Sequence, residues 1–163
     1  MITQIAVGVV LFVLGVLYVS WTAGRLDRLH ARVDAAWAAL DAALVRRAAA
    51  ARAVAVALTP GPESSALERA ARATLDGGVD GREALENDLS RALRAAVPVL
   101  PAVADLTELE QASTRVGLAR SFHNAAVRDT RVVRLRRIPR ALHLAGWREL
   151  PQYFEIDDTT VPH

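Results

Sequence analysis

The chain contains no cysteine, so no disulfide, thiolate nucleophile or cysteine-ligated zinc can hold it together or do chemistry in it, and packing alone must hold the fold. It contains no lysine either: all twenty basic residues are arginine, which reads first as a compositional bias. Aromatic residues make up only 5% and the net charge is only +2. A sequence pI near 9.9 overstates the electrostatic pull, because arginines do not deprotonate. A nucleic-acid reader would need a basic face with aromatics for stacking or a groove-reading helix, and neither is visible; no nucleic-acid partner is expected.

The most informative absence is local. From Met1 to Gly24 no side chain is charged, and Ile5 to Val19 is almost entirely aliphatic. As a helix, Ile2 to Trp21 spans about 30 Å, the thickness of a bilayer core. Tyr18 and Trp21 stand at one end, where amphipathic rings favour the headgroup layer, and Arg25, Arg28 and Arg32 follow at once. A cleaved signal peptide is the rival reading, but Met1-Ile2-Thr3-Gln4 lacks the basic start such peptides carry. With arginines on the C-terminal flank only, the expected topology is a single-pass cell-membrane protein with a short N-terminus outside and the main domain in the cytoplasm. Gly8 and Gly15 share nearly one face, which reads first as two tolerated glycines and second as room for another helix to approach.

Beyond the span, Leu26, Leu29, Val33, Trp37, Leu40 and Leu44 step by three or four and draw one apolar stripe on a helix. Nothing breaks it before Thr59-Pro60-Gly61-Pro62, so it is expected to continue the span as a single rod. Ser65 with Glu68 fits a capping box opening a short helix that Gly77 and Gly78 close. Asp80 with Glu83 repeats the start signal, Leu85, Leu89, Leu93 and Ala96 mark the inner face of a third helix, and Pro98 and Pro101 limit it. Thr107 with Glu110 opens a fourth, with a buried stripe of Leu109, Ala112, Val116, Ala119, Phe122, Ala126 and Val133. Pro139 suits the first turn of a short fifth helix that Gly146 would stop. No segment alternates with period two, so no sheet is expected.

The fold class is therefore all-α: an N-terminal transmembrane helix followed by an antiparallel bundle of about four helices, two long and two short, with a short C-terminal helix. Residues 1–24 form the anchor, 25–155 the bundle and 156–163 a flexible tail. Short connections make neighbouring helices antiparallel, so the fourth returns toward the membrane and brings Arg128 to Arg140 to the end where Arg25 lies.

No catalytic constellation is present. A di-iron bundle needs Glu-x-x-His pairs, and no glutamate here has histidine three residues on. His30, His123, His143 and His163 are scattered, and His123 reads as a core histidine rather than a ligand. Gly77-Gly78-Val79-Asp80-Gly81 lacks the strand and lysine of a phosphate loop. No cofactor, metal or enzymatic activity is expected. The sharpest charged feature is the run Arg128, Arg131, Arg134, Arg136, Arg137 and Arg140, opposed only by Asp129. A charge run is ordinarily a solvated helix face. The functional alternative is a basic collar of Arg25, Arg28, Arg32, Arg131, Arg134, Arg136, Arg137 and Arg140 on anionic lipid headgroups, with Trp147, and with it Tyr153 and Phe154, at the interface. Plain capping of the bundle is the rival for those aromatics.

Three segments, Arg32-Val33-Asp34-Ala35-Ala36-Trp37, Leu44-Val45-Arg46-Arg47 and Ala119-Arg120-Ser121-Phe122-His123-Asn124-Ala125-Ala126-Val127-Arg128-Asp129, together with the ending Pro151-Gln152-Tyr153-Phe154-Glu155, resemble the LemA family. The chain departs from that pattern after Arg47, where Ala48 to Ala51 replace an aliphatic-proline-asparagine stretch, and at His123, where tyrosine is usual. The resemblance implies one N-terminal transmembrane helix, a bundle of long antiparallel helices and no established catalytic activity. The function expected is thus a non-enzymatic interaction or scaffold protein at the membrane with an unknown protein partner. A lipid-surface module is the alternative; an exported small-molecule binder would require the opposite topology.

Overall fold

The computed structural model describes residues 1–100, 106–136 and 149–157. The regular elements among the described residues are four α-helices and one short 3-10 turn, with no strand: α1 Ile2–Ala57, α2 Pro62–Asp76, α3 Arg82–Ala96, the turn Val97–Val99 and α4 Thr107–Arg134. The expected fifth helix from Pro139 to Gly146 lies outside the described residues, as do Arg137, Arg140 and Trp147.

Helix α1 is unbroken over 56 residues, about 84 Å at 1.5 Å per residue. The apolar span and the alanine-rich stretch are therefore one rod, as expected: from Met1 to Ala57 there is no proline to remove a donor, and Gly8, Gly15 and Gly24 are tolerated singly. The two short helices begin at places other than the expected ones. Helix α2 starts at Pro62, three residues before Ser65. Proline at the first helical position has no amide to leave unbonded, and the Ser64 hydroxyl accepts the Gly61 amide proton at 3.0 Å. Helix α3 is preceded by Gly81 at φ 74°, a left-handed conformation that costs glycine nothing, and not by Asp80 as its cap.

The chain forms two compact units, one built from Met1–Ala35 and Asn124–Gln152, the other from Ala36–His123 and Tyr153–His163. On α1 the boundary between them falls after Ala35 and not at residue 24, within one continuous helix.

In the first unit, Leu26 and Val33 of α1 are buried, as are Ala126, Val127 and Val133 of α4. The two helices run antiparallel: the Thr130 hydroxyl lies 3.4 Å from the Leu29 carbonyl, and Arg32 meets Asp129 at 3.3 Å. Two polar side chains in this contact bond back to their own helix. Thr130 donates to the Ala126 carbonyl at 2.8 Å and His30 Nδ1 to the Leu26 carbonyl at 2.9 Å, each one helical turn back.

In the second unit α1 and α4 are again antiparallel, with the Trp37 ring 5.4 Å from His123 and Arg46 paired to Glu108 at 2.7 Å. One apolar cluster joins Ala48, Ala51, Ala55 and Leu58 to Leu67 and Ala71 of α2, Leu89 and Leu93 of α3, and Leu109 and Ala112 of α4. Alanine here lets helices approach closely, since each side chain fills only a methyl's depth. A second cluster packs Leu40, Leu44 and Val116 against Phe154 and Ile156.

Two expectations about burial need correction. Phe122 is exposed and His123 is buried in its place, because Val116, His123, Ala126 and Val127 follow the inward face whereas Phe122 falls outside it. The segment past residue 155 does not begin as a free tail: Ile156 is buried, Asp157 pairs with Arg94 at 3.0 Å, and its amide donates to Asn87 at 2.8 Å.

Candidate functional site

Two charged clusters stand out, one in each unit. In the second unit, Arg47 of α1 and Arg82 and Glu86 of α3 are buried inside apolar faces. Arg47 sits where the stripe Leu40, Leu44, Ala48, Ala51 leads the eye to expect a hydrophobic residue; Glu86 sits between Arg82 and Leu89 on the inner face of α3. Arg47 Nη2 donates to Glu86 Oε2 at 2.6 Å, Arg82 Nε lies 3.3 Å from Glu86 Oε1, and Arg82 Nη2 reaches half-exposed Asp41 at 3.2 Å. Burial pushes the Glu86 carboxyl above the ordinary carboxylate range, against the pull of the two guanidiniums.

Sequence reasoning missed this cluster. The available signal was a charge of opposite sign inside each of two apolar stripes. The cluster ties α1 to α3, but it offers no nucleophile beside a base, and its one buried carboxylate is held by cations. Among the described residues no group of three histidine, aspartate or glutamate side chains is placed to hold a metal ion.

The described arginines of the expected collar, Arg25, Arg28, Arg32, Arg131, Arg134 and Arg136, all belong to the first unit. Its span is laid bare: Ile2, Ile5, Leu11, Phe12, Leu14 and Leu17 are all exposed, and no residue of the apolar stretch is packed inside the protein. At its end Arg25 lies over the Trp21 ring, 5.7 Å from the centroid. Arg28 and Arg32 are exposed, Arg32 paired with Asp129. The antiparallel register of Leu29 with Thr130 sets Arg131, Arg134 and Arg136 toward the same end of α1 as Arg25 and Arg28.

The collar is not uniform, however. Arg131 Nη1 donates to the Pro151 carbonyl at 3.2 Å and Arg134 Nη1 to the Glu149 carbonyl at 2.5 Å, so these two guanidiniums hold the returning chain. Arg25, Arg28, Arg32 and Arg136 keep the outward positions. Among the aromatics, Phe154 is buried in the second unit, its ring 5.6 Å from Trp37 and edge-on, the capping role and not the interfacial one. Tyr153 beside it is exposed.

No family model, curated protein or solved structure matches this chain.

Proposed function

We propose that this protein is a membrane-tethered helical bundle that works by interaction and not by catalysis, with its bundle on the cytoplasmic side. The observation that carries the reading is the exposure of the whole apolar stretch up to Leu17: a core segment of a soluble protein buries its apolar side chains, and this stretch of α1 buries none. Arginines on only one flank of the span favour the cytoplasmic side. The residues around Trp37, Arg47 and His123 that resemble the LemA family support a divergent bundle of that kind.

The test is twofold. Carbonate washing of membranes from cells expressing the full chain should leave it in the pellet. Protease added to intact cells should spare a C-terminal tag until the membrane is opened. Release by carbonate, with mature chains beginning near Arg25, would overturn the tether; digestion in intact cells would reverse the topology.

A second reading has its own observation. Arg25, Arg28, Arg32 and Arg136 face outward beside the end of the span, where each arginine near an anionic surface contributes about 1 kcal/mol. Nanodiscs reconstituted with mixed lipids should then retain anionic lipid around the full chain, and lose that enrichment when Arg25, Arg28 and Arg32 are changed together to glutamine. Equal lipid composition in both would remove the lipid-surface role.

A further inference from the structure

In the second unit, helix α1 has a face that none of the described residues covers. Ala42, Ala49 and Val56 recur every seven residues, as do Ala38 and Val45, and all five are exposed, Val45 at 40% and Val56 at 71%. This is the a/d pattern of a coiled-coil seam, and it points away from Leu40, Leu44 and Ala51, which face the core. Arg52 is the one charged residue in the seam, with a stem long enough to carry its charge past the contact.

Large apolar groups border the same face. Arg46 pairs with Glu108, which fixes the edge of α4 that meets this side of α1. Phe122 lies fourteen residues beyond Glu108, on nearly the same edge, and Trp37 against His123 sets it level with the start of the seam. Phe122 is 67% exposed and Leu118, one turn before it, 56%.

The flanks decide what fits. One edge of the seam carries Asp41, the position before Ala42; the other carries Arg46, the position after Val45. In a parallel pair of such helices the first of these positions meets the second of the partner one heptad on, five residues later in number. Asp41 of one copy would therefore meet the Arg46 of another, and by symmetry the converse. Both side chains are about half exposed beyond the pairs they already make. An antiparallel pairing would bring like charges together. Two chains tethered by the same N-terminal span have only the parallel arrangement open to them.

We propose that this face is the interface with a second copy of the chain: a parallel, two-fold contact in which α1 packs on α1 along Ala42, Val45, Ala49 and Val56, Asp41 meets Arg46 across the seam, and Phe122 closes its rim. The parallel sense rests on the membrane tether proposed above.

The natural absence of cysteine makes the test direct. Single cysteines are placed in the full chain at Ala42, Val45 and Ala49, and at exposed Arg69 of α2 as a control, and membranes are treated with a mild oxidant. The expected result is a disulfide-linked homodimer from the three seam positions and none from Arg69→Cys. Adding Val45→Glu to the Ala42→Cys and Ala49→Cys chains should abolish it while the helical circular dichroism and melting temperature stay unchanged, since Val45 is not in the core. Only monomer at the seam positions, equal linking at Arg69→Cys, linking to a different protein, or linking indifferent to Val45→Glu would each overturn the proposal. Carbonate washing of the same membranes reads the tether separately: a chain that stays in the pellet but does not cross-link leaves the tether standing and removes the dimer.

Discussion

The Arg47 guanidinium and the Glu86 carboxylate meet at 2.6 Å with both side chains shut off from solvent, one on α1 and the other on α3. Removing two such charges from water costs several kcal/mol, which their attraction returns only while the pair is intact. Arg47→Ala should therefore destabilise the protein by about 3–5 kcal/mol, because it strands a buried carboxylate. Replacing Arg47, Arg82 and Glu86 together by Met, Met and Leu should restore much of the loss. Thermal unfolding of the three chains in one detergent checks both; a single variant as stable as the parent would deny that the pair is buried.

Two carboxylates should titrate in opposite senses. The hydrogen bond from Arg46 lowers the Glu108 carboxyl below its ordinary value, whereas burial raises Glu86. Glu108 thus contributes stability that is fully present above the unfolded-state value and is lost as pH falls through its lowered folded value. Glu86 acts the other way: the folded state holds its proton longer than the unfolded chain does, so stability declines as pH rises from the unfolded value toward the raised one. Side-chain carboxyl carbon shifts followed by NMR should show Glu108 titrating low and returning upward in Arg46→Ala, with Glu86 high.

The two phenylalanines of the second unit should respond unequally. Phe154→Ala empties the contact with Trp37, Leu40 and Val116 and should cost about 3–5 kcal/mol. Phe122→Ala removes an exposed ring and should stay within about 0.5 kcal/mol. Chemical denaturation of each variant separates them; equal losses would mean that Phe122 belongs to the core.

Arg131 and Arg134 should behave as fasteners of the returning chain rather than as lipid contacts. Arg131→Gln with Arg134→Gln frees the Pro151 and Glu149 carbonyls, so amide exchange at Leu150 and Gln152 should accelerate. Anionic-lipid enrichment should change less than in the Arg25, Arg28 and Arg32 variant. Hydrogen exchange read by mass spectrometry, on the nanodisc samples used for the lipid assay, gives both answers.

What the sequence determined by itself is the part governed by short-range rules. An uncharged stretch of bilayer length, apolar residues at spacings of three and four, and prolines and glycines between such runs fix an apolar N-terminal rod and the helices after it, because hydrogen bonding within a helix and its side-chain period depend on neighbours only. Helix starts were legible to within one to four residues: at α3 the cap is Gly81, next to Asp80, whereas at α2 it is Gly61, with Ser64 on the first turn in place of Ser65 as the cap. The tertiary structure alone decided which charges meet. The helix period puts Arg47 on the apolar side of α1 and Arg46 off it, but only the fold sets Glu86 before the one in the interior and Glu108 before the other in solvent. Nor does periodicity separate Phe122 from His123, where the direction of the α1 contact settles which ring is buried. Arg131 and Arg134 read as part of one basic run until the fold sets carbonyl oxygens before them, a long-range placement that a helix period does not encode.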